Sequence, residues 1–127
     1  MSISSDKPER PCTQAERQLA ADTYAFCMRH MQERFTIEFL ANRASVSPTK
    51  LKLVFRRAFG APLFAHIRKE KMHWAARELA TTDTRVIDIA EACGYDNPSK
   101  FSAAFRAVMG QTPCSYRKSL VWTDAAG

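Results

Sequence analysis

The sequence predicts an all-α protein of about seven helices, arranged as two helix-turn-helix lobes joined by a long linker helix. Three observations support this fold class. Glycine is scarce, with 4 in 127 residues, and no alternating apolar and polar pattern persists as it would in strands. Helix-start signals, in which Ser, Thr or Asn comes just before a helix or Pro opens it, recur along the chain. One helical pattern also occurs twice.

The first two helices are predicted from their caps. Residues 1–12 are polar, contain two prolines and are expected to form a mobile tail. Thr13 and Glu16 form a capping box, from which a helix should run to about His30. Its apolar positions at roughly helical spacing are Leu19, Tyr24, Phe26, Cys27 and Met31. Thr36 can cap a short second helix.

The third and fourth helices have clear start signals. Ser47 followed by Pro48 opens the third helix, and Gly60 is the favoured residue just past its end. Pro62 then opens a long helix that should reach about Ala80. We therefore expect a first lobe over about residues 13–60 and a linker helix over about residues 62–80.

The second half of the chain is predicted to repeat this order. Its three helices are expected over residues 87–93, 98–109 and 113–116, as a second lobe over about residues 85–119. Gly94 and Gly110 close the first two of them. The folded domain as a whole should span residues 13–122, and residues 123–127 are expected to fray as a C-terminal tail.

The two halves match residue by residue. Leu40, Ala41 and Ala44 correspond to Ile89, Ala90 and Cys93 at an offset of 49, and one extra residue in the second turn then makes the offset 50. The later matches pair Pro48, Lys50, Leu51, Phe55 and Gly60 with Pro98, Lys100, Phe101, Phe105 and Gly110. Ala41 and Ala90 are small enough for close helix crossing, as the helix-turn-helix plan requires.

Each second helix of a pair should bury one face and expose the other. The expected buried positions are Leu51, Val54, Phe55, Ala58, Phe101, Ala104, Phe105 and Val108. Leu53 lies about 200° around the helix from Leu51, so it should be exposed. The candidate base contacts on the outward faces are Thr49, Lys52, Leu53, Ser99, Lys100, Ser102 and Ala103. Thr, Lys and Ser can hydrogen-bond base edges, and Leu and Ala can pack on thymine methyls.

The charge balance favours an anionic partner, since 19 basic residues against 13 acidic ones give a net charge of +6. Basic side chains and helix N-termini around the two units are candidate phosphate contacts, although a solvated surface would have the same composition. These candidates are Ser47, Lys50, Arg56, Arg57, Asn97, Arg106, Arg117 and Lys118. Double-stranded DNA is the expected partner, with strongly salt-dependent binding.

Other classes of protein have little support in the sequence. No catalytic triad, paired carboxylates or phosphate-binding glycine loop is present, so no enzyme activity is expected. The four cysteines form no closely spaced pair, so we expect free thiols and neither a metal site nor a cofactor. Cys27 and Cys93 are interpreted as small buried hydrophobes and Cys12 as the exposed thiol. No apolar run is long enough to span a membrane, and a cytoplasmic, nucleoid-associated location is expected.

Two motifs extend over residues 35–118. The first reads Leu40-Ala41-x-x-Ala44-x-Val46-Ser47-Pro48-x-x-Leu51-x-x-x-Phe55-x-x-x-Phe59-Gly60. The second reads Ile87-x-Ile89-Ala90-x-x-Cys93-Gly94-Tyr95, then Asn97-Pro98-Ser99-x-Phe101-Ser102-x-x-Phe105-Arg106, and closes with Gly110-Gln111-Thr112-Pro113-x-x-Tyr116-Arg117. This combination resembles the DNA-binding domain of the AraC/XylS family of bacterial transcription regulators.

The resemblance implies seven helices and two recognition helices that enter successive major-groove segments about 34 Å apart. A monomer would then read an extended asymmetric site, and activation would involve contact with RNA polymerase. About 35 residues precede the first unit, too few for an effector domain, so the chain is expected to be a complete, stand-alone member. Two residues differ from the family pattern and affect which DNA site is expected. Thr49 stands where short members of the family have a large aromatic residue, and Ala103 stands where the family often has an arginine.

Two alternatives remain open at this stage. The chain could be a protein-interaction module or anti-regulator that keeps the fold without specific DNA binding. It could also be a domain excised from a longer regulator.

Overall fold

The computed structural model describes residues 11–126, with side chains up to residue 120. Over this range the chain forms seven α-helices and no strand, which confirms the all-α class. The helices are α1 (Gln14–Arg29), α2 (Ile37–Arg43), α3 (Pro48–Phe59), α4 (Leu63–Thr81), α5 (Val86–Ala92), α6 (Pro98–Met109) and α7 (Pro113–Ala126). Residues 1–10 of the expected tail lie outside the described residues. None of the described helices is long and apolar enough to cross a membrane.

The helices begin where their capping residues predict. Thr13 Oγ1 accepts a hydrogen bond from the Glu16 backbone N–H at 3.1 Å, and Glu16 Oε1 accepts one from the Thr13 N–H at 3.1 Å. The side chains of Thr36, Ser47 and Asn97 likewise accept hydrogen bonds from N–H groups in the first turns of α2, α3 and α6. Because each cap satisfies N–H groups that the first helical turn leaves unpaired, these residues fix where their helices start.

The chain divides into two compact units. The first contains residues 11–30 and Arg34–Ile67, and the second contains Met31–Glu33 and residues 68–126. The boundary falls inside α4. The first core consists of Ala20, Cys27, Leu40, Ala41, Leu51, Val54, Phe55, Leu63 and Ile67. The second consists of Met72, Ala75, Ala76, Leu79, Ile89, Ala90, Cys93, Phe101 and Phe105.

Most of the expected buried positions on α3 and α6 are confirmed. The five positions that are fully buried are Leu51, Val54, Phe55, Phe101 and Phe105. Ala104 and Val108 are half-buried against the second core. Ala58 is exposed, so the prediction that it is buried was wrong. Near the end of α3 the neighbouring Phe59, and not Ala58, packs against the first core.

The turn between the paired helices has the same geometry in both units. The Val46 N–H donates to the Ala41 carbonyl, and the Tyr95 N–H donates to the Ala90 carbonyl, both at 3.0 Å. The residue before each donor has positive φ, at 60° for Ser45 and 90° for Gly94. This agreement confirms the internal repeat, with the extra residue of the second turn placed after Tyr95.

Gly94 differs from Ser45 in what surrounds it. A Cβ atom at Gly94 would lie 2.8 Å from the Met31 carbonyl oxygen and 3.2 Å from the Gln32 carbonyl oxygen. The second turn therefore packs directly against backbone from the segment between α1 and α2. Met31 itself lies beyond α1, which ends at Arg29, so its assignment to that helix was wrong.

The last helix is longer than the sequence reading predicted. α7 continues to Ala126, whereas a short helix ending near Tyr116 and a frayed tail over residues 123–127 were expected. No glycine or proline occurs between Pro113 and Ala126, so no helix-breaking residue ends the helix earlier.

Candidate DNA-binding surface

α3 is held by one buried face, which leaves the opposite face outward. Leu51, Val54 and Phe55 are at most 1% exposed and lie in the first core, where α3 packs against α1 and α2. The Ser47 cap and Pro48 fix the start of the helix, and the Gly60 N–H donates to the Arg56 carbonyl at its end. The rotation of α3 about its own axis is therefore determined by the core.

The outward face of α3 combines polar, cationic and apolar side chains. Thr49, Lys52, Leu53 and Arg56 are all exposed, and Leu53 retains 43% of its surface. With Pro62 and Leu63 from the start of α4, these four residues line an open cavity of about 410 Å³. α3 contains no acidic residue. The candidate base contacts predicted on α3 thus lie together on one positively charged surface.

α6 presents a similar but less charged face. Phe101 and Phe105 are buried, and Ser99, Lys100, Ala103 and Arg106 are exposed, while Ser102 is half-buried. This helix also lacks acidic residues. Its outward side chains are mostly small, because Ser102 and Ala103 occupy the positions that Lys52 and Leu53 hold on α3. The predicted α6 candidates therefore also share one face, with fewer and shorter groups able to reach a base.

The helix N-termini offer further donors. Ser47 Oγ accepts from the Lys50 N–H at 3.1 Å, and Asn97 Oδ1 accepts from the Ser99 and Lys100 N–H groups at 2.9 and 3.2 Å. These bonds use only the acceptor oxygens, so the Ser47 hydroxyl and the Asn97 amide can still donate to a phosphate. Both caps are exposed, as are the predicted phosphate contacts Lys50, Arg56, Arg106 and Lys118.

Arg57 has an internal role that the sequence did not reveal. Its side chain is 11% exposed, and its Nη1 lies 3.7 Å from Oε2 of Glu16, whose side chain is 13% exposed. Arg57 Nε is buried and has no hydrogen-bond partner. The structure therefore places this guanidinium between α3 and α1, whereas the sequence interpretation placed it on the phosphate-facing surface.

Arg117 also binds groups within the protein. Its guanidinium donates three hydrogen bonds to backbone carbonyls, of Leu79 at 3.1 Å, Thr82 at 3.0 Å and Thr84 at 2.7 Å. These bonds tie α7 to the end of α4 and to the loop that follows it. The carbonyls of a loop between helices have no helical partners, so Arg117 satisfies groups that would otherwise depend on water.

The cysteines divide by burial. Cys27 and Cys93 are 4% and 1% exposed, which confirms their assignment to the core. Burial raises the pKa of the Cys93 thiol to about 12, so it remains protonated at neutral pH. The exposed thiol is Cys114 on the first turn of α7, whereas Cys12 is half-buried, so the prediction for Cys12 was wrong.

The lining residues Pro62 and Leu63 were absent from the predicted site. They precede or open α4, and the sequence indicated only a helix start at Pro62. Their place beside Leu53 depends on how α4 leaves α3, which no local sequence signal reports.

Known proteins with similar sequences are transcription regulators. A family model described as a helix-turn-helix domain matches residues 40–119. The chain is 31% identical over 110 residues to the HTH-type transcriptional activator AarP of Providencia stuartii, covering 87% of this chain and 82% of that protein. It is 30% identical over 106 residues to the regulatory protein SoxS of Escherichia coli K12, covering 84% of this chain and 99% of that protein.

A solved structure extends the similarity to three dimensions. The DNA-binding domain of AdpA, a global transcriptional factor crystallised with a target DNA, is similar with a TM-score of 0.77 and 29% identity, over 85% of this chain and 97% of that one. These similarities indicate a family of DNA-binding transcription regulators and not a family of enzymes. The chain is a member of the AraC/XylS family of DNA-binding transcription regulators.

Proposed function

We propose that this regulator is an activator that binds DNA as a monomer, with α3 and α6 each reading one of two successive major-groove segments. The observation that supports this most is the outward face of α3, where Thr49, Lys52, Leu53 and Arg56 are exposed on a helix without acidic residues. The resemblance to the activator AarP supports the sign of regulation. RNA polymerase is the proposed protein partner, and the cytoplasm, with the nucleoid, is the proposed location.

The two recognition helices have different roles in this proposal. On α3, Thr49 and Lys52 donate to base edges, while Lys50 and Arg56 contact phosphates. On α6, Ser99, Lys100 and Ser102 reach bases, Ala103 contributes one methyl, and Asn97, Arg106 and Lys118 position the helix on the backbone. Arg57 and Arg117 take no part, because their guanidinium groups already bind within the fold.

Selection of bound duplexes from a randomised DNA pool tests the proposal. We expect enrichment of an asymmetric site with two boxes about 10 base pairs apart, which is one helical turn. Native mass spectrometry of the enriched duplex should then show one protein per duplex. A single enriched box would indicate that α6 contacts only phosphates and reads no bases. Two proteins per duplex would overturn the proposal that the protein binds as a monomer. No enrichment with folded protein would favour an interaction module without specific DNA binding.

Lys52→Ala and Arg56→Ala should weaken DNA binding in different ways. Lys52→Ala should remove about 1–3 kcal/mol of discrimination at one base pair, because a lost base contact reduces preference there. Arg56→Ala should weaken binding similarly to all sequences and reduce the slope of log K against log salt by about 1, because one phosphate contact is lost. Titration of each variant against the selected site and its single-base variants measures both effects. Equal, sequence-independent losses would refute this division of roles.

A further inference from the structure

We propose that Leu53 makes α3 selective for a C5-methylated pyrimidine, thymine or 5-methylcytosine, at the base pair that faces its side chain. This inference rests on the proposed function and specifies which chemical group of the DNA the first unit recognises. It follows from the position of Leu53, from the charges around it and from a comparison with the second unit.

Leu53 is apolar and exposed at the centre of an otherwise polar face. Its side chain is 43% exposed, and it lies one turn from both Thr49 and Arg56 on the outward side of α3. It forms part of the open cavity of about 410 Å³, together with Pro62 and Leu63. Leu63 is only 3% exposed and is therefore held by the core. The cavity thus has one apolar wall, formed by Leu53 and the exposed Pro62 beside the core residue Leu63.

The charges around this apolar wall indicate what fills it. Lys52 and Arg56 line the same cavity, and no residue of α3 is acidic. An apolar protein surface placed here would desolvate two cations without a counter-charge, which is unfavourable. DNA supplies a base-edge acceptor for Lys52, a phosphate for Arg56 and an apolar group for the leucine. On the edges that bases present in the major groove, that apolar group is the C5-methyl of thymine. Methylation of cytosine at C5 places the same group on the other pyrimidine.

The second unit provides an internal comparison. The repeat offset of 50 places Ala103 at the position of Leu53 and Ser102 at that of Lys52. Alanine lacks the branched end of leucine, so α6 reaches less far toward a methyl group. Leu53→Ala therefore gives α3 the side chain that α6 already carries, and Leu53 is not part of the first core.

Replacement of single thymines by deoxyuridine in the selected duplex tests the inference. Uracil keeps the pairing and the hydrogen-bonding edge of thymine and lacks only the methyl group. At one thymine we expect binding to weaken about fourfold, the effect of leaving about one methyl-sized group in water. Fluorescence anisotropy at fixed salt concentration measures each dissociation constant. Leu53→Ala should bind the thymine and uracil duplexes equally, and Leu53→Met should retain a preference for thymine.

Phe64→Ala is the matched control. Phe64 is 42% exposed at the start of α4 but does not line the cavity, so its truncation should leave the thymine preference unchanged. Cytosine and 5-methylcytosine placed at the same position distinguish the two methyl sources. Tighter binding of 5-methylcytosine shows that the methyl group itself is recognised, whereas equal binding of the two assigns recognition to thymine alone.

Three results would overturn the inference while leaving the proposed function intact. The first is equal binding of thymine and uracil at every position of the selected site. The second is a thymine preference that persists unchanged in Leu53→Ala. The third is a strongly enriched site that contains no thymine and whose cytosines, replaced one at a time by 5-methylcytosine, leave binding unchanged. In each case specific DNA binding is still observed, so failure of the inference is distinguishable from failure of the proposed function.

Discussion

Gly94→Ala should lower the free energy of unfolding by about 3 kcal/mol, because two separate penalties combine at this residue. Its φ of 90° is strained for any residue with a side chain. In addition, the new Cβ would lie 2.8 Å from the Met31 carbonyl oxygen, and this oxygen belongs to backbone that cannot rotate away as a side chain could. Urea unfolding of the variant, with the midpoint and slope compared with those of the original chain, measures the loss.

Gly110→Ala is the matched control for this substitution. Gly110 has nearly the same backbone angle, with φ of 85°, but nothing lies within 4 Å of an added Cβ. It should therefore lose only the conformational contribution, about 1 kcal/mol. The difference between the two variants isolates the contact with the 31–33 segment. Equal losses would show that this contact contributes nothing to stability.

Glu16→Ala should lower the free energy of unfolding by about 3 kcal/mol, because Glu16 stabilises both the start of α1 and a nearly buried guanidinium. The substitution removes the hydrogen bond that Oε1 accepts from the Thr13 N–H. It also leaves Arg57, 11% exposed, without the carboxylate that lies 3.7 Å from it. Breaking a buried ion pair from one side is costly, since the remaining charge is neither solvated nor compensated. Thermal and urea unfolding measure the effect.

Arg57→Met should change stability little or increase it, because it removes the guanidinium together with its unpaired Nε and keeps the length of the side chain. Combining it with Glu16→Ala should restore most of the stability that Glu16→Ala alone loses. It should also leave the salt dependence of DNA binding unchanged, unlike Arg56→Ala. A loss as large as that of Glu16→Ala, or a reduced salt slope, would contradict the internal role of Arg57.

The helix order could be predicted because its signals are local. Capping residues such as Thr13, Ser47 and Asn97 act within three residues of themselves, so the sequence shows where each helix starts. The internal repeat predicts the outward faces of α3 and α6, since it fixes which positions are buried. The exposure of Leu53 follows from its angular distance from Leu51 alone.

The features that the sequence could not predict depend on distant partners. Arg57 and Arg117 are of the same residue type as the proposed phosphate contacts Arg56 and Arg106, and only their contacts with Glu16 and with the 79–84 backbone distinguish them. Those partners lie tens of residues away, and no pattern links the two. The length of α7 was missed for another reason: no glycine or proline occurs between Pro113 and Ala126, so no local signal marks where that helix ends.

The 31–33 segment also bears on how far each unit is modular. These three residues group with the second unit, although residues 34–67 belong to the first. The second unit is therefore formed by two segments that are separated in the sequence. A fragment that begins at residue 68 would lack the backbone that fills the space beside Gly94. Local opening of this segment, which lies between α1 and α2, would expose the turn at Gly94 in the second unit. The second unit is therefore expected to lose order when the 31–33 segment opens.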